Sequence, residues 1–392
     1  MQVVWAEPVT PLVTRTPQSK KFFRTFVCLL VYLASRQEID ENLQIEILLK
    51  SSPNPQNSLF QRKVHLAMKL TKTLWMLIVG IALATSTPGL LDRCIAGEPS
   101  KDSAEPLPTE SKRIVLIAGK PSHPPRMHEF NAGVQLLSEC LKNSGLPVAV
   151  DISLNGWPKD ESILDRADAI VFYMDGGGGH EAVGESGRRL KKIDELASKG
   201  VGIGCMHYAV EIVADQAGKE FKKWIGGHYE HMFSCNPIWS PEFNQLPEHP
   251  ITRGVKPFSV KDEWYFNMRF VNDLPGASAA QSDSGKFVPI LVAAPSDAVR
   301  NGPYVYPPGP YAHIQANKGR AEAMLWTVER PDSGRGFGFT GGHFHDNWGN
   351  DSFRKLILNA CLWLAKAEIP AEGVASTVTQ EQLDANLDPK KK

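Results

Sequence analysis

The stretch VGIGCMHYA, residues 201–209, combines a buried strand with a sharp turn. Its first six residues are small or apolar, as is typical of a central strand of a parallel sheet. A sharp strand-to-helix turn requires small residues two positions before and two positions after its exposed residue. A turn centred on His207 meets this requirement with Cys205 and Ala209. A turn centred on Cys205 would place the larger Ile203 and His207 there, so the pattern predicts His207 as the exposed turn residue and Cys205 as a buried strand residue.

Further strands and helices alternate around this stretch. Apolar, β-branched runs predict strands, and apolar residues at helical spacing predict helices. The predicted strands are 113–118, 148–154, 167–174, 201–206, 323–328 and 336–340, and the predicted helices are 129–143, 185–198 and 353–366. This alternation predicts an α/β fold with a doubly wound, mostly parallel sheet, in which ligands bind at the carboxyl ends of the strands. Residues 218–310 are less regular, which predicts loop-rich insertions that wall the pocket.

The segments outside this domain have other compositions. Residues 68–96 resemble a secretory signal peptide, with a Met, two lysines, an apolar run and Ala82-Leu83-Ala84 as a possible cleavage site, although the same run is compatible with an uncleaved membrane anchor. Residues 1–67 are then interpreted as a non-native or disordered extension upstream of a true initiator at Met68. Residues 97–112 are predicted to be a linker and 371–392 a disordered tail, because both are polar. We therefore expect export to the periplasm or the extracellular space.

Charge and cysteine content exclude some classes of partner. Lys plus Arg and Asp plus Glu both total 43, which gives no electrostatic reason to expect binding to nucleic acid. Membrane contact is expected only through an uncleaved signal. The six cysteines are scattered, so one disulfide is possible in the domain but none is implied.

Histidines mark the candidate pocket. His123, His180 and His207 each come just after a predicted strand, and Asp175 precedes the glycines that lead to His180. We expect these residues to converge on one rim of the sheet. The glycines between Asp175 and His180 lack the arrangement that cradles phosphate, so a nucleotide site is not expected.

Two closely spaced histidine pairs follow. His228 and His231 lie three residues apart, and His343 and His345 lie two apart after a predicted strand. Such spacing suits a divalent metal such as zinc, although no recognised zinc signature is present. The alternative is a polar cleft of hydrogen-bonded histidines without metal.

The segment Asp262-Glu263-Trp264-Tyr265 adds two acids and two aromatic residues. Carboxylates can act as a general base, bind metal or orient an imidazole. Aromatic faces beside carboxylates also suit a sugar, because apolar ring faces stack while hydroxyls form hydrogen bonds. The alternative is a solvated acidic pair.

The ordered motifs resemble the ThuA-like, trehalose-utilisation family over residues 113–370. They read GKPSHPPRMHEF (119–130), DGGGGH (175–180), GIGCMHYAVE (202–211), WIGGHYEHMFSCNP (224–237), VKDEWYF (260–266) and GRGFGFTGGHFHDNW (334–348). The resemblance implies a flavodoxin-like sheet related to class I glutamine amidotransferases, with a histidine in place of the cysteine nucleophile. It also implies a role in the catabolism of trehalose and related sugars through 3-keto intermediates. The residues at positions of the family's pocket motifs are His123, His128, Asp175, His180, His207, His231, Glu263, Tyr265 and His343, whereas His228 and His345 depart from the family pattern.

The leading hypothesis is an exported enzyme that acts on a 3-keto sugar or glycoside. In it His207 is the general acid/base, Glu263 or Asp262 is its carboxylate partner, and a sugar is the only expected ligand besides metal. The predicted substrate-binding residues are His123, His128, Asp175, His180, Tyr208, Tyr265 and His343, and the predicted metal ligands are His228, His231 and His343. The alternatives are a non-catalytic carbohydrate-binding module with the same fold, and an amidotransferase or peptidase that uses Cys205.

Overall fold

A computed structural model of the chain describes residues 111–282 and 285–390. The predicted upstream extension (1–67), the predicted signal peptide (68–96) and nearly all of the predicted linker (97–112) lie outside the described residues. Among the helices of the described part, none combines the length and the apolar character that crossing a membrane requires.

The centre of the domain is an eight-stranded sheet. Its strands are β1 (Lys112–Ala118), β2 (Val148–Ser153), β3 (Ala169–Tyr173), β4 (Gly202–Met206), β5 (Ala280–Ser282), β6 (Gly285–Ala293), β7 (Glu322–Glu329) and β8 (Arg335–Phe339). They lie in the order β5-β6-β7-β8-β4-β3-β1-β2. The strands from β8 to β2 run parallel, and β5, β6 and β7 extend the sheet antiparallel. The fold is therefore α/β with a doubly wound, mostly parallel sheet, as the sequence predicts.

Helices cover both faces of this sheet. The helices are α1 (Phe130–Lys142), α2 (Ser162–Asp165), α3 (Arg188–Ser198), α4 (Lys219–Ile225), α5 (Asp297–Arg300), α6 (Ala312–Gln315), α7 (Asp351–Leu364) and α8 (Gln380–Asp384). α1 and α7 share one apolar core with one face of the sheet, and α3 and α4 share a second core with the other face. Burial on both faces explains why every residue of β3 is apolar and inaccessible to solvent.

Glycines in β4 allow close packing against its neighbours. A Cβ on Gly204 would lie 2.5 Å from the ring of Phe337, and a Cβ on Gly202 would overlap the backbone oxygen of Leu364. The two residues thus let β8 and the end of α7 approach the central strand. This close contact fixes the position at which β4 ends, and with it the position of His207.

The insertion between β4 and β7 differs in part from the expectation. It contains α4 and three two-residue strand pairs, Gly227–His228 with Arg269–Phe270, Ile238–Trp239 with Asp262–Glu263, and Glu242–Phe243 with Phe258–Ser259. However, β5 and β6 belong to the main sheet, which the sequence did not predict. The irregularity around Pro289 in β6 breaks the alternation that would have marked a strand.

The C-terminal tail is ordered over residues 371–390, which corrects the expectation of a disordered segment. Val374 and Leu383 are buried, and Thr379 caps α8 together with Gln382. Polar residues of the tail are bound as well: the backbone N–H of Asp388 donates to Glu129. The composition did not predict this order because it depends on partners in the domain: Asp384 pairs with Arg126, and Lys390 pairs with Glu129. In the described part, the cysteines 140, 205, 235 and 361 are free and buried, so the possible disulfide is not formed there.

Candidate functional site

His207 occupies the turn at the carboxyl end of β4. Its φ angle is 54°, in the left-handed region that side chains rarely adopt, and it opens the short 3₁₀ turn His207–Val210. Such a conformation costs on the order of 1–3 kcal/mol and persists only where the surroundings impose it. The predicted turn is therefore present. The predicted solvent exposure is wrong, because His207 is 0% exposed beneath other site residues.

Four buried side chains meet at His207. We call His128, His207, Glu263 and His343 the histidine–glutamate cluster, whose ligand atoms all lie within 4.8 Å of one another. The Nε2 atoms of His207 and His128 are 2.9 Å apart. The Nδ1 atom of His343 lies 3.0 Å from Nε2 of His128 and 3.3 Å from Nε2 of His207. Three imidazole nitrogens thus converge on one point.

The hydrogen-bond partners assign the tautomers of two of these rings. Nδ1 of His207 lies 3.0 Å from the carbonyl oxygen of Thr340, and Nδ1 of His128 lies 2.9 Å from a carboxylate oxygen of Asp175. Both partners accept only, so each Nδ1 carries the proton. Burial lowers the pKa of both rings and keeps them neutral. Their facing Nε2 atoms therefore present lone pairs to each other.

Glu263 supplies the negative charge of the cluster. Its Oε2 atom lies 2.7 Å from Nδ1 of His343 and 3.6 Å from Nε2 of His207. Asn236 donates a hydrogen bond of 2.8 Å to the other carboxylate oxygen. Burial raises the pKa of Glu263, and the neighbouring His343 opposes that shift. Of the two predicted carboxylate partners of His207, Glu263 is the one in place.

The donor set and spacing fit a metal ion. Three imidazole nitrogens and one carboxylate oxygen are the ligands that zinc takes in proteins. Tetrahedral bonds of about 2.0–2.1 Å separate neighbouring ligand atoms by roughly 3.3 Å. The five separations given above, from 2.7 to 3.6 Å, bracket that value, and all four ligand atoms lie within 4.8 Å of one another. The hydroxyl of Tyr265 also points at this centre, 3.2 Å from Nε2 of His207.

Asp262 has a different role from the one predicted. Its buried carboxylate accepts hydrogen bonds from the backbone N–H groups of Gly342 and His343, at 2.7 and 3.0 Å. These bonds hold the loop that carries His343. Since adjacent residues of a strand point to opposite sides, Asp262 and Glu263 cannot both face His207. Asp262 therefore holds the loop of His343 and does not face His207.

An outer layer of polar side chains covers the cluster. The exposed ring of His123 lies 3.6 Å from that of His128, and Ser122 donates a hydrogen bond of 2.9 Å to Asp175. His123, His128 and Asp175 form a second group of possible metal ligands, less buried than the first. Tyr208 is half-buried, and burial with the nearby Glu211 raises its pKa to about 12. Of the predicted substrate-binding residues, His123, Asp175 and Tyr208 thus lie on the open side.

Glu211 and Asn236 are site residues that the sequence reasoning missed. Burial, and then the negative Glu263, raise the pKa of the Glu211 carboxyl to about 7. Gly177 lies next to the Glu211 side chain: a Cβ on Gly177 would be 3.6 Å from the Glu211 carboxylate. The available signal was position, because Glu211 follows His207 by one turn in GIGCMHYAVE.

The glycines after Asp175 hold this turn in place. A Cβ on Gly176 would overlap the backbone oxygen of Tyr208 and lie 2.7 Å from that of Glu211. Gly177 has a φ of 60° and donates its N–H to the Glu211 carbonyl at 3.0 Å. The glycine run therefore serves close backbone packing beside the site.

Several predicted pocket histidines lie elsewhere. His180 packs between Phe172 and Phe221 in the core on the α3 and α4 side, where it caps a 3₁₀ turn, so its predicted substrate contact is not supported. His228 is buried in a strand pair and its Nδ1 lies 3.1 Å from the carbonyl oxygen of Tyr229. His231 is exposed beside Tyr306.

The predicted metal set of His228, His231 and His343 is therefore corrected, because only His343 joins the histidine–glutamate cluster. His228 and His231 diverge because an extended strand ends between them. His345 also turns away, and its Nε2 lies 3.1 Å from the carbonyl oxygen of Leu383. The strand alternation expected for His343 and His345 is absent, since β8 ends at Phe339 and a 3₁₀ turn begins at His345.

Two further expectations concern Cys205 and the aromatic residues beside Glu263. Cys205 is a buried residue of β4, as predicted, and burial raises the pKa of its thiol, which disfavours the nucleophilic thiolate. Trp264 is 0% and Tyr265 3% exposed, so neither offers a ring face to a sugar.

The family model ThuA, described as trehalose utilisation, matches residues 114–364. The chain belongs to the ThuA family. A solved structure of a putative ThuA-like protein from Bacteroides uniformis is 14% identical, covers 68% of this chain and 95% of its own, and has a TM-score of 0.43. PurLQS from Thermotoga maritima is 11% identical, with 65% and 99% covered and a TM-score of 0.33. No curated protein matches the chain. Membership of the ThuA family indicates a carbohydrate-related role.

Proposed function

We propose that this ThuA-family protein is an exported enzyme of carbohydrate catabolism that acts on a 3-keto sugar or glycoside. In this proposal the histidine–glutamate cluster holds a divalent metal such as zinc, and residues 68–96 direct export. The bound metal would polarise the ketone oxygen of the substrate. His207 would then be a ligand and not the general acid/base, because both of its ring nitrogens are engaged.

The observation that carries the proposal is the pair of facing lone pairs on His128 and His207. Two neutral acceptors 2.9 Å apart repel each other unless a cation or a proton lies between them. Glu263 and His343 add one charge and a third nitrogen at the same point. Binding of a metal ion would offset the unfavourable approach of these buried acceptor atoms.

Proton transfer falls to residues of the outer layer. A carboxyl whose pKa is about 7 gives and takes a proton near neutral pH, and Glu211 is such a group. In an enolisation next to a ketone, the Glu211 carboxylate takes the proton from the carbon while the electron pair of that C–H bond forms the enolate. The half-buried Tyr208 and Asp175 would hold substrate hydroxyls beside it.

The test combines metal analysis with turnover. Untagged wild type is compared with His343→Ala, and with His313→Ala as a control, because His313 is an exposed histidine outside the cluster. Each is assayed with 3-keto-trehalose and with plain trehalose. We expect wild type and His313→Ala to contain about one metal ion per chain and to convert only the keto sugar, and His343→Ala to lose both properties.

Two outcomes contradict the proposal. Wild type that binds no divalent metal refutes the metal site. Wild type that binds 3-keto-trehalose saturably without turning it over is instead a non-catalytic carbohydrate-binding module.

A further inference from the structure

An exposed aromatic side chain lies beside the proposed site. Tyr306 is 69% exposed, the largest exposed fraction of any large hydrophobic residue in the described part of the chain. Its ring lies 5.9 Å from that of the exposed His231, with 30° between the planes. We call Tyr306 and His231 the outer aromatic pair. An exposed tyrosine ring offers a flat apolar face and a hydroxyl, the combination that favours tyrosine at binding surfaces.

A short chain of hydrogen bonds ties this pair to the histidine–glutamate cluster. The backbone N–H of Tyr306 donates to the side-chain oxygen of Asn236 at 3.2 Å. The amide of the same Asn236 donates to Glu263 at 2.8 Å. The N–H of Val305 adds a bond of 3.2 Å to the Asn236 carbonyl. Asn236 therefore links the backbone of Tyr306 to Glu263, a proposed metal ligand, and fixes the distance between Tyr306 and Glu263.

An electrostatic interaction also relates Tyr306 to the open side of the site, where Tyr208 lies. The negative charge that the Tyr306 hydroxyl would carry contributes to the raised pKa of Tyr208, after burial, Glu211, Asp175 and Glu263. Together with the hydrogen bonds through Asn236, this interaction supports a position of the outer aromatic pair near Tyr208.

The chemistry of this region selects the ligand. Asp175 and Glu211 accept hydrogen bonds and repel anions, which favours a neutral, hydroxyl-rich molecule over a phosphorylated one. The apolar face of a pyranose stacks on an aromatic ring while its hydroxyls remain hydrated. Trp264 and Tyr265 are buried and cannot do this, so the outer aromatic pair takes the role that the sequence suggested for them.

We propose that the outer aromatic pair is a second sugar subsite, which stacks the pyranose ring next to the one held at the histidine–glutamate cluster. The substrate is then an oxidised glycoside of at least two rings, with its ketone on the ring nearest Glu263. This inference rests on the proposed function and specifies its substrate class.

The experiment compares wild type with Tyr306→Ala, Tyr306→Phe and Leu154→Ala on a two-ring and a one-ring substrate, 3-keto-trehalose and 3-ketoglucose. Leu154 is a control because it is 39% exposed and lies outside the site. We expect Tyr306→Ala to raise KM for 3-keto-trehalose about 3- to 10-fold, the range of one aromatic stacking contact, with kcat nearly unchanged. Tyr306→Phe, Leu154→Ala and all activities on 3-ketoglucose should stay close to wild type.

Binding measured by calorimetry separates this inference from the proposed function. If wild type turns over neither substrate, the proposed function fails, and a weaker binding of 3-keto-trehalose by Tyr306→Ala alone would still support the subsite. Equal effects of Tyr306→Ala on both substrates, or none on either, would overturn it. Metal content and melting temperature of the variants, measured alongside, show whether the cluster and the fold are intact.

Discussion

The Nε2 atoms of His128 and His207 lie 2.9 Å apart, although each ring already directs its Nδ1 proton to another acceptor. Without a cation this arrangement is destabilising, because two lone pairs meet in a buried space. The proposed metal ion, bound between the two rings, would remove this repulsion. The proposed site therefore predicts a difference in stability between metal-free and metal-bound protein, which can be measured without an activity assay.

We expect zinc to raise the melting temperature of wild type and not that of His128→Gln. A ligand that binds only the folded state at 100 times its Kd adds about 2.7 kcal/mol to the free energy of unfolding. Thermal denaturation with chelator and with zinc measures the difference. An equal zinc-induced shift in His128→Gln would place the metal elsewhere.

Asp262→Asn should weaken metal binding without removing a ligand. The substitution replaces an acceptor oxygen with an amide N–H, which opposes the N–H groups of Gly342 and His343. Loss of such an orienting partner typically costs about 10- to 100-fold in metal affinity. Competition with a chromogenic chelator reports the affinity. Asp297→Asn is the control, because Asp297 is exposed and pairs with Lys318 at 3.1 Å, not with the loop of His343. An affinity as high in Asp262→Asn as in wild type would contradict the positioning role.

Glu211→Gln should change both stability and the pH profile. The folded-state pKa of Glu211 is raised to about 7 from 4.5, so the folded protein binds more protons between these values and loses stability as pH rises through that window. Glu211→Gln removes this loss, and we expect its melting temperature to exceed that of wild type at pH 8 but not at pH 4. The same variant should lose the rise in kcat that wild type shows as pH increases through about 7. A variant with an unchanged kcat profile would exclude Glu211 as the base.

Gly176→Ala should disrupt the turn that carries Tyr208 and Glu211. Its Cβ would overlap the Tyr208 carbonyl oxygen, and overpacking against backbone costs about 1–3 kcal/mol. Gly179→Ala is the matched control in the same glycine run, because its Cβ meets nothing within 4 Å. Denaturant unfolding of both variants tests the comparison, and equal destabilisation would refute the packing argument.

The sequence predicted what local sterics and periodicity determine. The small residues around His207 identified the turn, and the apolar runs identified the parallel strands. The sequence did not predict the antiparallel strand β6, because Pro289 interrupts its apolar alternation. Alternation along a strand places Asp262 and Glu263 on opposite sides of it. It does not predict which of these two sides faces His207.

Membership of the cluster depends on tertiary contacts that spacing along the chain does not reveal. His128 and His343 meet across 215 positions, whereas the closely spaced His228 and His231 point apart. The position of Glu211 one turn after His207 was a signal, but its raised pKa was not predictable, because that shift comes from burial and from Glu263, which is distant in sequence. The order of the polar tail also depends on contacts distant in sequence, because Asp384, Asp388 and Lys390 bind to the loop before α1.

Lys390 of that tail places its ammonium group 3.3 Å from the buried carboxylate of Glu129 and donates to the carbonyl oxygen of His128 at 3.1 Å. One of the last described residues thus braces the segment that presents His128. Lys390 is not a member of the histidine–glutamate cluster, yet it contacts the segment that carries His128. Replacing Lys390 with Ala is therefore expected to loosen this segment and to weaken the proposed metal site without removing a ligand.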